Sequence, residues 1–139
     1  MRERMAVLGS IAVLWLVGVG VGTAGKALAH GIHPKTVVVF ASAVAPTYAL
    51  RIGLRSAPEQ FDFERFDGEV ERRTQFVRHG IAAVAAVAVG TVTGLVVGSV
   101  VDATAPGVSP SPAVLVAIAV SWVVGLRALV SLNAEYRVA

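Results

Sequence analysis

The stretch that decides the fold is residues 80–101, Gly-Ile-Ala-Ala-Val-Ala-Ala-Val-Ala-Val-Gly-Thr-Val-Thr-Gly-Leu-Val-Val-Gly-Ser-Val-Val, which holds 22 residues and no charge. At about 1.5 Å per residue, a helix of this length crosses the ~30 Å hydrocarbon core of a bilayer. We therefore predict a transmembrane helix here, and we expect the other helices of the chain to be arranged around it.

This helix has one smooth ridge and one bulky ridge. The smooth ridge consists of small residues that recur every four positions: Ala82, Ala86, Gly90, Gly94 and Gly98. The bulky ridge is mostly valine: Val84, Ala88, Val92, Val96 and Val100. Small residues let helix backbones approach closely in a membrane, so the smooth ridge is predicted to pack against another helix. The bulky ridge is predicted to face lipid or looser packing.

The composition of the whole chain points to the same class. Its 139 residues are 55% apolar, and the mean hydropathy is strongly positive. A soluble domain of this size seldom reaches such values, which favours a membrane protein with several spans and the bilayer as its first partner. The chain has no cysteine, so disulfides and thiolate metal sites are excluded. The net charge of +3 does not arise from a basic stripe interleaved with aromatics, and we predict no nucleic-acid partner.

Apolar runs divide the chain into two hairpins and a linker. Four spans are predicted at about residues 5–25, 36–54, 80–101 and 112–132. The predicted units are a first transmembrane hairpin over 1–54, a charged segment over 55–79, and a second hairpin with a short tail over 80–139. The predicted fold is thus an all-α, integral membrane four-helix bundle. Pro46 should kink the second span, because proline cannot donate a hydrogen bond to the carbonyl of Ser42.

The first span has an alternative interpretation as a signal peptide. Arg2 and Arg4 precede the apolar run, and Ala27-Leu28-Ala29 has the form of a cleavage site. The run is longer than the usual apolar region of about 7–15 residues in a signal peptide, which favours an uncleaved helix.

Residues 55–79 mix charged side chains with most of the phenylalanines of the chain. Ser56-Ala-Pro-Glu59 has the form of a capping box and predicts a short helix from about Ala57 to Phe66. A second helix is predicted from about Glu69 into the third span. We interpret the segment as amphipathic, lying on the membrane surface or beneath the bundle. A solvated linker helix with a few anchoring aromatics is the alternative.

A shift of 76 positions aligns the first two predicted helices with the last two. Gly18 and Gly22 fall on Gly94 and Gly98, and Leu50-Arg51 falls on Leu126-Arg127. Membrane proteins are often built from internal repeats, so we predict a duplicated hairpin with parallel orientation. The alternative is that two unrelated hairpins resemble each other because both are rich in Ala, Val and Gly. The aligned glycines also predict a central contact between helices one and three.

The basic residues lie almost entirely on one side of the predicted spans. All ten arginines belong to that side, and only Lys26 and Lys35 lie on the other. Cytoplasmic loops carry the excess of Lys and Arg, so both termini and residues 55–79 are predicted to be cytoplasmic in a multi-pass cell-membrane protein.

Three sets of residues are candidates for specific roles. The predicted helix-packing residues are Gly18, Gly22, Ala41, Ala45, Ala82, Ala86, Gly90, Gly94, Gly98, Ala117, Ser121 and Gly125. A polar path through the spans would use Thr47, Tyr48, Thr91 and Ser121, although such hydroxyls commonly hydrogen-bond between or within helices. Arg51 and Arg127 lie near the predicted cytoplasmic ends, where they either snorkel to the interface or contact an anion or lipid headgroup.

No set of residues predicts an enzyme, a cofactor or a metal. His30 and His33 have spacing compatible with a shared metal, and Asp102 in the other outer loop would be a further ligand, but an ordinary polar loop is favoured. None of the predicted spans contains Asp, Glu or His, which argues against proton-coupled transport. We therefore predict a membrane subunit or scaffold that uses small-residue packing and a cytoplasmic docking segment, with other membrane proteins or a second copy as partners. A small channel or transporter with a path near Pro46 is the alternative.

Overall fold

The chain is predominantly helical in a computed structural model. The structure describes residues 34–107 and 111–138 without a gap and, before them, positions 2, 4, 5, 8, 9, 11–13, 15, 16 and 18–20. Of these described residues, 87% are helical and none lies in a β-strand. Three helical runs are long and apolar enough to cross a membrane, namely Lys35–Arg55, Arg72–Thr104 and Pro112–Leu132. The helices therefore have the lengths and composition of a membrane protein.

The N-terminal helix packs against the second predicted span. A short apolar helix over Ile11–Gly20, which we call α1, covers part of the first predicted span. The Trp15 indole Nε1–H donates to Ser42 Oγ at 2.7 Å, and Gly18 lies directly against Ala41. Small residues and an interhelical hydrogen bond thus join these two helices, the two devices that hold helices together in lipid.

The second predicted span changes helix type at its proline. It consists of α2 (Pro34–Val44), a 3-10 segment (Ala45–Ala49) and α3 (Leu50–Arg55). Pro46 lies in the first turn of the 3-10 segment and has no N–H for the carbonyl of Ser42. The helix type therefore changes at the proline where the sequence predicts a kink.

The linker folds differently from the prediction. Residues 57–60 form turns, and α4 begins only at Phe63 and extends to Glu69 (Phe63–Glu69). The predicted helix from Ala57 to Phe66 is wrong over residues 57–62, whereas its last four residues belong to α4. The Ser56 hydroxyl hydrogen-bonds back to the Ile52 carbonyl in α3 and does not cap a following helix. Asp62 is the actual N-cap, and its carboxylate accepts from the Arg65 backbone N–H at 3.2 Å.

The two longest helices follow. Helix α5 (Arg72–Thr104) contains 33 residues and so extends about 50 Å, which exceeds a bilayer core. It begins just after the predicted position near Glu69 and continues through the whole third predicted span. Helix α6 (Ser111–Leu132) contains the fourth predicted span. Gly107, in the connection, adopts a φ of 85°, a left-handed conformation that glycine tolerates without strain.

The described core has two parts along the bundle. We call the end formed by residues 55–79 and 133–138 the charged end, and the end at the α5–α6 connection the opposite end. Near the opposite end, α2, α5 and α6 meet through small buried residues such as Ala43, Ala113 and Ala117. At the charged end, a larger cluster buries Leu50, Leu54, Phe61, Phe66, Ala82, Leu129 and Tyr136.

The predicted contact between helices one and three is wrong for the glycines that the structure describes. Gly18 of α1 packs on Ala41 of α2, whereas Gly94 of α5 packs on Val39 and Ala117. The small-residue ridge of α5 therefore meets α2 and α6.

Candidate functional site

The charged end holds a polar network that joins α3, α4 and α5. The Arg51 guanidinium donates to Asp67 Oδ1 at 2.5 Å and to Gln75 Oε1 at 2.7 Å. It also lies 5.1 Å from the centre of the Phe63 ring, a cation–π distance. Arg51 comes from the end of the second predicted span, so this contact fastens the linker to the bundle.

Gln75 completes the network from inside α5. Its side chain is buried, and its Nε2 donates to the Val70 carbonyl at 2.9 Å and, more weakly, to Asp67 Oδ1 at 3.4 Å. A buried side-chain amide without hydrogen-bond partners would destabilise the fold. The hydrogen bonds that Gln75 makes avoid that cost. The hydrogen bond from Arg51 holds the pKa of Asp67 below its ordinary value, because the charged carboxylate is the better acceptor.

A second polar contact ties α6 to α5. Asn133 follows the last residue of α6 and is completely buried. Its Nδ2 donates to the Leu129 carbonyl at 2.8 Å, and its Oδ1 accepts from the Arg78 guanidinium. Asn133 therefore satisfies a buried helix-end carbonyl that α6 itself leaves unpaired, and it anchors an arginine of α5 at the same time.

The C-terminal tail pairs with the linker and closes an aromatic cluster. The Asp62 N–H donates to the Tyr136 carbonyl at 2.8 Å, and the Val138 N–H donates to the Gln60 carbonyl at 3.0 Å. Phe66 and Tyr136 meet edge to face with ring centroids 5.6 Å apart, and Phe61 and Phe66 do so at 5.4 Å. Burial raises the pKa of the Tyr136 hydroxyl above its ordinary value. The linker and the tail are thus one folded cap on the charged end.

Most of the predicted helix-packing residues lie in the interior of the described structure. Ala82, Ala86, Gly90 and Gly94 are buried on one side of α5, and the valine ridge on the opposite side is exposed. Ala41, Ala45, Ala117, Ser121 and Gly125 are also buried. Gly18 and Gly98 are partly buried, and Gly22 lies outside the described residues.

Two glycines of α5 sit where no side chain fits. A Cβ on Gly90 would lie 2.7 Å from Ser121 Cβ and 3.0 Å from the Ala117 carbonyl oxygen. A Cβ on Gly94 would lie 2.6 Å from Val39 Cγ1. Gly98, one turn further, would meet only Ala113 Cβ, at an ordinary 3.4 Å. Of these three glycines of α5, Gly90 and Gly94 therefore have the tightest surroundings.

The residues of the predicted polar path are not brought together by hydrogen bonds. The Thr47 hydroxyl donates to the Val44 carbonyl at 2.6 Å, and the Ser121 hydroxyl donates to the Ile118 carbonyl at 3.0 Å. Tyr48 is exposed. The Thr91 hydroxyl is buried and has no hydrogen-bond partner in the described part of the chain.

The two arginines predicted to contact an anion or headgroup have unlike surroundings. Arg51 is engaged by Asp67 and Gln75, as described above. Arg127 is exposed and lines a groove of about 480 Å³ together with Arg137. The equivalence suggested by the sequence shift therefore does not extend to the partners of these two side chains.

Asp102, the residue that could have joined His30 and His33 in a metal site, is instead engaged by a lysine. Asp102 receives both its hydrogen bonds from Lys35 Nζ, at 2.6 and 2.7 Å, and this ion pair lies at the opposite end. His30 and His33 lie outside the described residues. Over the ranges that the structure describes, no group of three His, Asp or Glu side chains is placed to hold a metal ion.

Sequence reasoning missed the residues that organise the charged end. The sequence alone places Asp67 and Gln75 in a charged segment and Asn133 in a polar tail, without assigning them partners. An available signal was Asn133 itself, since asparagine directly after an apolar helix is a common helix-terminating residue. Its pairing with Arg78, 55 positions earlier, has no local signature.

The geometry defines a packed helical core with a folded, charged cap. Comparisons with models of known families, with curated proteins and with solved structures found no match. The function must therefore be inferred from the contacts and charges of the chain itself.

Proposed function

We propose that the chain is a four-helix membrane protein that acts as a subunit or scaffold without catalysis, and that its folded cap is the docking surface for a partner. Helix α4 is amphipathic, which is the observation that carries the proposal. Phe66 faces inward and is fully buried, whereas Glu64, Arg65 and Glu69 point outward and are exposed. The cap thus presents charged side chains on a fixed backbone. Binding of a partner to this ordered surface costs less conformational entropy than binding to a flexible segment would.

The small-residue ridges support a scaffold whose helices pack within the chain. Gly90 and Gly94 are covered by α2 and α6 of the same chain. They are consequently not free to bind a partner helix. Contacts with another protein would fall on the cap or on the exposed valine side of α5.

A duplicated hairpin is supported by one pair of equivalent contacts. A Cβ on Gly18 would lie 3.0 Å from Ala41 Cβ, and a Cβ on Gly94 would lie 3.0 Å from Ala117 Cβ. The shift of 76 positions relates Gly18 to Gly94 and Ala41 to Ala117. The same glycine–alanine contact therefore occurs in both proposed hairpins, as a parallel repeat requires.

The proposed orientation has the cap and both termini in the cytoplasm. Arg51, Arg78 and Arg137 take part in the charged end, and Lys35 lies at the opposite end. This distribution supports the cytoplasmic placement because basic residues are retained on the inner side of a membrane.

Photo-crosslinking in native membranes tests the docking proposal. A photoreactive phenylalanine analogue at position 64 should give an adduct with one protein of defined mass, identified by mass spectrometry. The same analogue at Leu115, an exposed apolar position of α6, should give lipid adducts only. Protein adducts at Leu115 and none at position 64 would move the interface into the membrane, and no protein adduct at either position would contradict docking through the cap.

A charge-swapped variant provides the matched control. Arg65 Nε and Glu69 Oε1 are 3.0 Å apart in an i,i+4 pair, so R65E/E69R keeps an ion pair on α4 while it inverts the surface pattern. The adduct at position 64 should disappear in this variant, and a melting curve checks that the cap stays folded, because Arg65 also lies 5.4 Å from the centre of the Tyr136 ring. An undiminished adduct would show that the charges of α4 do not direct docking.

A small channel or transporter is the second candidate, on the strength of the break at Pro46 and the unpartnered Thr91 hydroxyl. Interrupted helices expose carbonyls that transporters use for ion binding. Liposomes that contain the purified chain should then pass an ion or small solute, and P46A should reduce that flux. The absence of flux across a panel of ions and solutes would exclude this candidate.

A further inference from the structure

Among the residues that the structure describes, the groove beside Arg127 is lined by two arginines and by no carboxylate side chain. It is lined by Gln60, Leu126, Arg127, Val130, Ser131 and Arg137. Within the part of the chain that the structure describes, neither guanidinium forms an ion pair or a hydrogen bond. Arg51, Arg65 and Arg78 at the same end all have such partners. The groove therefore combines two available guanidiniums, which suit a phosphate group.

Arg137 is held in the groove by its backbone. It belongs to the C-terminal tail, where residue 137 forms a β-bridge with Phe61. The Val138 N–H donates to the Gln60 carbonyl at 3.0 Å, which fixes the next residue as well. The two arginines come from α6 and from the tail, so the groove exists only when the cap is folded.

The position of the groove at the end of an apolar helix surface indicates which kind of phosphate compound it would bind. An exposed ridge of α6 leads to it in steps of four residues: Leu115, Ala119, Val123, Arg127 and Ser131. The first three positions are apolar and belong to a helix that is long enough to span the membrane. The last two are polar and line the groove. Apolar surface that ends at basic side chains matches a lipid, with acyl chains along the ridge and a headgroup at its end.

We propose that Arg127 and Arg137 together bind the phosphate of an anionic phospholipid whose acyl chains lie along the exposed ridge of α6. The site is separate from the docking face on α4 and does not depend on a protein partner. It depends on the insertion of α6 in the membrane, with the charged end at the anionic inner leaflet.

Native mass spectrometry of the full chain in a non-ionic detergent tests the site. Dioleoyl phosphatidylglycerol, dioleoyl phosphatidylcholine and sodium phosphate are titrated against the protein, and the variants R127Q, R137Q and R73Q are compared. Arg73 is exposed in the first turn of α5, so R73Q removes the same charge outside the groove. The side chains of Arg127 and Arg137 are exposed, and a melting curve for each variant checks that the fold is retained.

We expect R127Q and R137Q each to weaken phosphatidylglycerol binding about fivefold, the factor for one basic residue near an anionic headgroup. R73Q should change it less than twofold, and phosphatidylcholine should not discriminate among the variants. Equal losses of phosphatidylglycerol binding in all three variants would indicate general charge attraction and would contradict a specific site. No loss in R127Q or R137Q would overturn the proposal, and sodium phosphate binding as tight as the lipid would overturn the assignment to a lipid.

Discussion

Replacing Gly94 by alanine should destabilise the protein, and the same change at Gly98 should not. The two glycines lie one turn apart on the same side of α5. A Cβ on Gly94 would be 2.6 Å from Val39 Cγ1, 3.0 Å from Ala117 Cβ and 3.1 Å from the Ala113 carbonyl oxygen. A Cβ on Gly98 meets only Ala113 Cβ at 3.4 Å, an ordinary van der Waals contact.

The expected effect is the difference in unfolding free energy between G94A and G98A, because the effect of replacing glycine by alanine on the backbone cancels in that difference. Alanine is favoured over glycine inside a helix by about 1 kcal/mol, and this gain applies equally to both variants. Overpacking at Gly94 costs typically about 1–3 kcal/mol, because Val39 is a buried β-branched residue with few rotamers and the Ala113 carbonyl belongs to a helix backbone. The free energy of unfolding of G94A should therefore lie about 1–3 kcal/mol below that of G98A.

The assay is reversible unfolding of both variants in mixed detergent micelles, followed by helical circular dichroism. A further substitution, G94V, should increase the deficit because it adds two methyl groups at the same point. Equal free energies of unfolding for G94A and G98A would refute the close approach of α2, α5 and α6 at Gly94.

Three further predictions concern the charged end, and all are measured as changes in unfolding free energy or melting temperature. The pKa of Asp67 is lowered by its hydrogen bond from Arg51, so the stability that this pair contributes is present above the ordinary value of 3.8 and is lost as the pH falls through the lower folded value. Acidification from pH 7 to pH 3 should therefore lower the stability of the unmutated protein more than it lowers the stability of D67N. The same pH dependence of stability in both proteins would contradict the pairing. N133L leaves the buried Leu129 carbonyl and the half-buried Arg78 guanidinium without this partner and should cost about 1–3 kcal/mol. A neutral outcome would mean that these groups find other partners. F66A empties the centre of the aromatic cluster and should cost about 3–5 kcal/mol, whereas F76A, at a position that is 80% exposed, should change stability by less than about 0.5 kcal/mol; similar losses would contradict a packed cap.

The long apolar elements were predictable because their signal is local. An uncharged run of 22 residues can satisfy its backbone in a membrane only as a helix, and residues 80–101 are helical throughout. The period-four arrangement of small residues likewise indicated which side of α5 approaches its neighbours. Pro46 marked the helix interruption for a reason that involves only its own ring and the preceding turn.

The cap was less predictable because tertiary contacts decide it. Ser56 has the sequence context of an N-cap, but its hydroxyl bonds to α3, and Asp62 caps α4 instead. The partners of Arg51 are 16 and 24 residues away. The ridge on α5 was visible in the sequence, yet the helices that it meets were not, since small residues specify a close contact without specifying which helix makes it.

The central proposal is that four helices cross the membrane with the cap in the cytoplasm, and cysteine labelling tests it most directly. The chain has no cysteine, so single substitutions give an unambiguous signal. E64C, E135C and R2C are compared with A105C, an exposed position just after α5, using a membrane-impermeant maleimide on intact cells and on inverted vesicles. We predict that A105C is labelled in intact cells, and that the other three react only in inverted vesicles. Labelling of E64C and A105C from the same side would contradict the crossing of α5, and labelling of R2C in intact cells would contradict a cytoplasmic N-terminus.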